Sequence, residues 1–169
     1  MTAPAGKTAL IIDASRGLGY ALAAEYLARG WRVTATVRGA RRTGLHDLAR
    51  SSDGRLVVEA VDITVPEQVA ALHDRLARAT FDLLFVNAGV TKASKSALNQ
   101  LMRSFAARHA GDPCTLLLMA PGWVQTDLSG PAAPLTIGQS IPGVADTIEA
   151  QAAKGGLQYL DYQGQTVCW

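Results

Sequence analysis

The sequence predicts an α/β protein built on a doubly wound parallel β-sheet with helices on both faces. Short apolar runs typical of buried strands alternate with helical patterns along the chain, and a glycine-containing turn follows the first run. Strands that are separated by helices pair in parallel through right-handed crossovers. At 169 residues, with no repeat or linker, we expect one domain over residues 1–169.

The first half of the chain contains four strand patterns separated by three helical ones. Thr8-Ala9-Leu10-Ile11-Ile12 is mostly apolar, as buried parallel strands are, and Gly30 is placed to end the first helix. Thr64 and Glu67 have the spacing of a capping box and predict a helix start. The predicted strands cover residues 8–12, 31–37, 56–61 and 81–86, and the predicted helices cover 20–29, 41–50 and 64–78.

The second half continues the alternation with a looser stretch inside it. A helix is predicted over 93–107 and a strand over 115–119. Residues 121–143 are rich in Pro, Gly and Ser and are predicted to be irregular. A helix over 144–153 and a strand over 157–162 complete the pattern.

Net charge, the length of apolar runs and the spacing of cysteines and histidines exclude several classes of function. A net charge of +2 is far below that of most nucleic-acid-binding surfaces, so we expect no nucleic-acid partner. No apolar run approaches the ~20 residues that cross a bilayer, and no secretory signal pattern is present, which predicts a cytoplasmic protein without a membrane partner. The cysteines and histidines lack metal-ligand spacing, so we expect no metal: Cys114, Cys168, His46, His73 and His109.

The turn after the first strand has the context of a phosphate-binding loop. It reads Asp13-Ala14-Ser15-Arg16-Gly17-Leu18-Gly19 and leads directly into a helix. Glycines let the backbone approach a pyrophosphate, and the helix N-terminus supplies N–H donors and a positive dipole end. A carboxylate at Asp13 would repel a pyrophosphate, although the residue could instead cap the turn through its own backbone.

The end of the second strand predicts the nucleotide. Dinucleotide folds that prefer NAD place an acid there, whereas this chain has Thr36-Val37-Arg38. Arg38, together with Arg16, could pair with a 2′-phosphate, which favours NADP(H) as the cofactor. The alternative is that both are ordinary surface arginines.

These motifs, with Asn87-Ala88-Gly89 and the Pro121-Gly122-Trp123-Val124-Gln125-Thr126 segment, resemble those of the short-chain dehydrogenase/reductase (SDR) family. The resemblance covers almost the whole chain and implies a Rossmann-like fold, NADP(H) binding and carbonyl/alcohol redox chemistry. It places Asp62 at the family's adenine-contacting acid, although a strand-end turn residue is equally compatible. The implied cofactor-binding residues are Asp13, Ser15, Arg16, Gly17, Leu18, Gly19, Arg38, Asp62, Ile63, Asn87, Ala88, Gly89, Lys95, Pro121, Gly122, Val124 and Thr126.

The family's catalytic residues match only in part. The resemblance places Lys95 at the family's lysine and Thr91 at its catalytic tyrosine, four residues earlier. An aliphatic hydroxyl is a far weaker acid than a phenol of pKa ~10, so Thr91 cannot replace a tyrosine as the proton donor. The helix–strand unit that bears the family's catalytic serine is missing between Gly89 and Thr91. We therefore expect the ordinary redox activity to be lost or much weakened.

Other interpretations stay open at this stage. Thr91 could simply cap the following helix, and Lys95 could be a solvated surface residue. The protein could be a non-redox enzyme, such as a lyase, isomerase or cyclase, or a non-catalytic binding protein. The sequence could also omit residues of a longer parent.

The expected partners are a nicotinamide dinucleotide and a small-molecule substrate or ligand. Loss of the helix–strand unit would leave Leu98, Leu101 and Met102 exposed on the surviving helix. A homo-oligomer would cover that patch.

Overall fold

A computed structural model describes residues 6–87, 92–112 and 114–168, and of residues 92–94 it describes the backbone alone. The chain divides into two compact units, Met1–Asn87 and Ala88–Trp169, which we describe separately as unit 1 and unit 2. The expectation of one domain over 1–169 stays a prediction.

Unit 1 contains a four-stranded parallel sheet. Its strands are β1 (Thr8–Ile12), β2 (Arg32–Val37), β3 (Leu56–Ala60) and β4 (Leu83–Val86), in the order β3-β2-β1-β4. In this register Ile11 of β1 lies opposite Ala35 of β2 on one side and Phe85 of β4 on the other. The strand order reverses between β1 and β4, so the carboxyl ends of these two strands form the topological switch point where doubly wound folds bind ligands.

Three helices connect the strands of unit 1: α1 (Gly17–Ala28), α2 (Gly44–Arg50) and α3 (Pro66–Leu76). Ile12 packs against Val61 and against Leu72 of α3 on one face of the sheet. Neighbouring Ile11 points to the opposite face, because side chains alternate along a strand. Helix α1, which contacts β1 and β2, buries Leu22 and Tyr26 completely. The predicted doubly wound α/β class is confirmed in this unit.

The start of α3 differs from the sequence prediction. Its N-cap is Val65, Pro66 occupies the first turn, and no side chain caps the helix. The Thr64 hydroxyl instead donates to Asp62 Oδ1 at 2.7 Å. The predicted capping box is therefore wrong, because the helix begins one residue later, with Val65 rather than Thr64 at the N-cap.

Unit 2 consists of α4 (Lys92–Arg108), β5 (Thr115–Ala120), α5 (Ile137–Ala150) and β6 (Gly156–Asp161). Strands β5 and β6 pair in parallel over their whole length, with α5 as the crossover. Strand β4 ends at Val86 and α4 begins at Lys92. The interval 87–91 is too short for a helix and a strand, which fits the prediction that one helix–strand unit is absent.

Helix α5 begins at Ile137, whereas the sequence predicted an irregular segment up to residue 143. Thr136 and Gln139 form a capping box at its start: Thr136 Oγ1 accepts from the Gln139 N–H at 3.3 Å, and Gln139 Oε1 accepts from the Thr136 N–H at 2.8 Å. Pro142 lies inside the helix, and a Cβ on Gly143 would come within 2.5 Å of the Tyr162 carbonyl oxygen. Gly143, which suggested a loop, therefore allows α5 to pack closely against Tyr162.

The apolar side of α4 is partly exposed. Leu101 is 66 % exposed and Phe105 is 44 % exposed, whereas Leu98 and Met102 are half-buried. The Phe105 ring stacks on His109 at a centroid distance of 4.1 Å. The predicted patch thus exists with a different composition, since Phe105 replaces Leu98 and Met102. Within the described parts of the chain, no helix has the length and hydropathy of a membrane span.

Asp82 fastens β4 to β1, and we predict that this link weakens in acid. Its Oδ2 accepts the Thr8 N–H at 2.7 Å and the Thr8 hydroxyl at 3.1 Å. The first of these bonds is the main reason that the pKa of Asp82 lies below its ordinary value. A lowered carboxyl pKa adds stability above the unfolded-state pKa, and this stability disappears as pH falls through the folded-state pKa.

Asp82→Asn should therefore lower Tm at neutral pH and reduce the loss of Tm between about pH 6 and about pH 3. Thermal unfolding followed by circular dichroism measures both effects. Asp53→Asn is the control, because Asp53 is an exposed turn residue with no such bond in the described structure. Identical pH profiles for Asp82→Asn and the unmodified chain would contradict the assignment.

Candidate functional site

The turn between β1 and α1 holds an aspartate in the left-handed backbone region. Asp13 has φ +62°, a conformation that Asp and Asn tolerate better than most residues. Its N–H donates to Thr36 Oγ1 at 3.0 Å, and the Ala14 N–H donates to the Thr36 carbonyl at 2.8 Å. Thr36, almost fully buried at the end of β2, therefore fixes the path of the turn.

Asn87, at the end of β4, also holds this turn in place through hydrogen bonds. It follows β4, and its N–H donates to the Ile12 carbonyl at 3.1 Å. Its Nδ2 donates to the Asp13 carbonyl at 3.1 Å. The asparagine of the N-A-G motif thus joins the ends of β1 and β4.

The two glycines of the turn are required for different reasons. Gly17 has φ +57°, and a Cβ built there would meet nothing within 4 Å. A Cβ on Gly19 would overlap the Asp13 carbonyl oxygen and would lie 2.9 Å from Asn87 Nδ2. Gly19 therefore permits close packing of α1 on the turn, whereas Gly17 leaves bare backbone facing open space.

Helix α1 begins at this bare backbone. Arg16 is its N-cap in an extended conformation, and the Arg16 side chain makes no capping hydrogen bond. The first N–H groups of a helix have no intrahelical partner, and they lie at the positive end of the helix dipole. The turn therefore has backbone donors at the start of α1, and anion binding there stays a prediction.

A small pocket opens next to the turn. Asp13 and Arg38 are its charged residues, and within the described part of the chain neither side chain makes a hydrogen bond or an ion pair. The remaining wall is apolar except for Thr36. The pocket is lined by Ile12, Asp13, Thr36, Arg38, Val61 and Ile63.

Asp62 stands between Val61 and Ile63 in the sequence, and its carboxylate stabilises the turn that follows β3. Its Oδ1 accepts both the Thr64 hydroxyl, at 2.7 Å, and the Thr64 N–H, at 3.0 Å. The hydroxyl bond is the main cause, the N–H bond the next and the nearby Arg38 charge a smaller one, of a pKa below the usual Asp value. Asp62 therefore stabilises the turn that follows β3. A contact with adenine stays a prediction.

In unit 2, the predicted cofactor-binding segment that begins at Pro121 follows directly after β5. Gly122 has φ +83°, and a Cβ there would come within 2.6 Å of Leu135 Cδ1. The fully buried Ser140 donates its hydroxyl to the Pro121 carbonyl at 2.6 Å, which fixes this segment to α5. Val124 is 2 % exposed and packs in the core of the unit, whereas Thr126 is half-buried in the following turn.

The predicted residues thus form two groups, one in each unit. Unit 1 brings together the turn residues, Arg38, Asp62, Ile63 and Asn87 at the carboxyl ends of its strands. Unit 2 holds Lys95, which is exposed on α4, and the segment after β5. Ala88, Gly89 and Thr91 lie outside the described residues.

Sequence reasoning missed two residues that support the site. Thr36 holds the Asp13 turn and lines the pocket, and Ser140 holds Pro121. Thr36 could have been noticed because it stands at the end of β2, two residues before Arg38. Nothing in the local sequence distinguishes Ser140, which becomes significant only when α5 packs beside the end of β5.

Among the described residues, no grouping of His, Cys, Asp or Glu suits a metal ion.

Comparison with known proteins agrees with this geometry. The short chain dehydrogenase family model matches residues 7–93, just over half of the chain. An SDR from Burkholderia multivorans with bound NADP is 41 % identical, with a TM-score of 0.94 over 97 % of this chain and 100 % of that one. A carbonyl reductase from Pseudomonas aeruginosa PAO1 in complex with NADP is 26 % identical, with a TM-score of 0.86 over 97 % and 100 % of the two chains.

A curated relative, C-signal from Myxococcus xanthus, is 36 % identical over 78 residues. The match spans 46 % of this chain and 47 % of C-signal, about half the length of each. The extent of the family match and the structural similarity together show that this chain belongs to the short-chain dehydrogenase family, with the Rossmann-like fold that its motifs implied.

The two turn glycines provide a test of the site's construction. Gly19→Ala should destabilise the protein by about 3 kcal/mol, because its methyl group would overlap the Asp13 carbonyl. Gly17→Ala should cost only about 1 kcal/mol, since the new methyl meets open space and only the left-handed backbone is strained. Urea unfolding of both variants measures the difference. Equal losses would show that the close contact at Gly19 does not constrain the fold.

Proposed function

We propose that this protein is an NADP(H)-binding member of the short-chain dehydrogenase family whose ordinary carbonyl/alcohol redox activity is lost or much weakened. The supporting observation is the guanidinium of Arg38, which lines the pocket beside the turn and has no ion-pair partner in the described residues. An unmatched guanidinium at the end of β2 suits a 2′-phosphate.

The residues of unit 1 fit a dinucleotide with one exception. The bare backbone at Gly17 and the start of α1 would hold the pyrophosphate, and Arg38 the 2′-phosphate. The apolar wall of Val61 and Ile63 suits an adenine ring. The exception is Asp13, whose carboxylate is unfavourable beside phosphates. Two family members of similar structure have NADP bound, which supports the same cofactor here.

The side chains that could act on a substrate limit the redox chemistry of this protein. A bound nicotinamide would supply hydride transfer. Carbonyl reduction also needs a proton donor at the substrate oxygen, and no tyrosine stands at position 91. Lys95 is exposed, so its ammonium group is hydrated. Binding without efficient turnover is the behaviour that these residues support.

A second candidate function is protein binding through α4. The exposed side chains of Leu101 and Phe105 favour it, because large apolar groups on one helix face are typical of contact surfaces. Sedimentation velocity over a range of concentrations distinguishes this candidate. A self-associating chain shows a concentration-dependent mass, and the Leu101→Lys variant would abolish it.

Arg38 provides the direct test of the proposed cofactor. Arg38→Ala should weaken NADPH binding by about tenfold to a hundredfold, since a charge-assisted pair with the 2′-phosphate is lost. NADH affinity should change less than about threefold, because NADH lacks that phosphate. Isothermal titration calorimetry gives both affinities.

Arg78→Ala is the matched control, because Arg78 is an equally exposed arginine that does not line the pocket. It should leave both affinities unchanged. Failure of the unmodified chain to bind either nucleotide would remove the proposed function. It would return attention to the cofactor-free lyase, isomerase or cyclase.

The proposed loss of activity is tested by turnover. With NADPH and a panel of aldehydes and ketones, the chain should be at least about a hundredfold slower than the Pseudomonas aeruginosa carbonyl reductase, because an oriented acid contributes that much or more. Oxidation of NADPH followed by absorbance gives the rates. Comparable rates in the two proteins would contradict this part of the proposal.

A further inference from the structure

Asp13 brings a negative charge into the pocket that contains Arg38. Both residues line this pocket, yet they form no ion pair with each other, and the Asp13 carboxylate has no hydrogen-bond donor in the described part of the chain. In the family motif that this turn resembles, the same position is a glycine. The Asp13 carboxylate therefore adds a negative charge to the turn, and no side chain in the described part of the chain is paired with it.

The backbone keeps this carboxylate in place. The Asp13 N–H is bound by Thr36 Oγ1, and its carbonyl is bound by Asn87 Nδ2. With both peptide groups held from neighbouring strands, the Cα of Asp13 cannot withdraw from the pocket when a ligand enters. The Asp13 side chain can still rotate, but it is short, so its carboxylate stays near the pocket.

Two carboxylates lie near Arg38. Asp13 shares the pocket with it, and Asp62 interacts with it electrostatically from the end of β3. Two carboxylates thus accompany one guanidinium. Together they offset the attraction that Arg38 alone would exert on a phosphate, whereas an uncharged ribose hydroxyl could accept or donate a hydrogen bond there.

We propose that Asp13 is a specificity-determining residue that reduces the protein's preference for NADPH over NADH by opposing Arg38 at the ribose 2′ position. The inference rests on the proposed dinucleotide binding and adds the residue that sets its selectivity. The 2′-phosphate is the only charged group by which the two nucleotides differ, so a carboxylate near it acts on NADPH more than on NADH.

Asp13→Asn is the test variant, because Asn keeps the size of the side chain and tolerates the left-handed backbone. Calorimetric titration should show NADPH binding about tenfold tighter than in the unmodified chain. NADH should gain less, since it shares only the pyrophosphate, so the NADPH-to-NADH affinity ratio should rise. Raising the salt concentration should shrink the gain, since exposed charges are screened. Asp13→Gly, which restores the family's residue, should give a gain in NADPH selectivity in the same direction.

Asp53→Asn is the matched control. Asp53 also has a left-handed backbone, with φ +51°, but it lies in an exposed turn and does not line the pocket. Its affinities for both nucleotides should equal those of the unmodified chain. Thermal unfolding without nucleotide should give nearly the same Tm for Asp13→Asn as for the unmodified chain, which confirms that the variant is folded.

The two possible failures have different signatures. If the unmodified chain binds dinucleotide and the NADPH-to-NADH affinity ratio is the same in Asp13→Asn, the specificity role is overturned while the proposed function stands. If the unmodified chain, Asp13→Asn and Asp13→Gly all bind neither nucleotide, the proposed function itself is wrong, and the inference falls with it.

Discussion

The site in unit 1 depends on the pair of hydrogen bonds that hold the Asp13 peptide groups between two strands. Thr36 at the end of β2 accepts from its N–H, and Asn87 after β4 donates to its carbonyl. These bonds satisfy backbone groups that a tight turn would otherwise leave unpaired. They also fix the turn at the switch point, and that position decides where α1 begins.

Close packing at this turn explains its residue pattern. Because the Asp13 carbonyl is held next to α1, only a glycine fits at position 19. At position 17 there is space for a side chain, and the bare backbone is instead available to a ligand. The same turn therefore combines close packing at Gly19 with bare backbone at Gly17. Its two charged residues are Asp13 and Arg16.

Several elements were predictable from local pattern alone, and the errors have a common physical cause. The first strand was predicted at its observed bounds, because an apolar run before a glycine turn has few alternatives. Thr64 was assigned to a capping box that it does not form, since the helix begins one residue later and Val65 is its N-cap. Helix α5 was predicted too short, because Pro142 and Gly143 suggested a loop, whereas Gly143 packs closely against Tyr162 within the helix.

By itself the sequence determined the α/β class, the family and the position of the glycine turn after the first strand. These follow from short-range patterns, in which strands, turns and helix starts are decided by neighbouring residues. Only the tertiary structure decided that Thr36 supports Asp13, that Ser140 holds Pro121, and that Asp13 and Arg38 share a pocket unpaired. Those facts depend on contacts between residues distant in the chain, which are determined when the strands and helices pack.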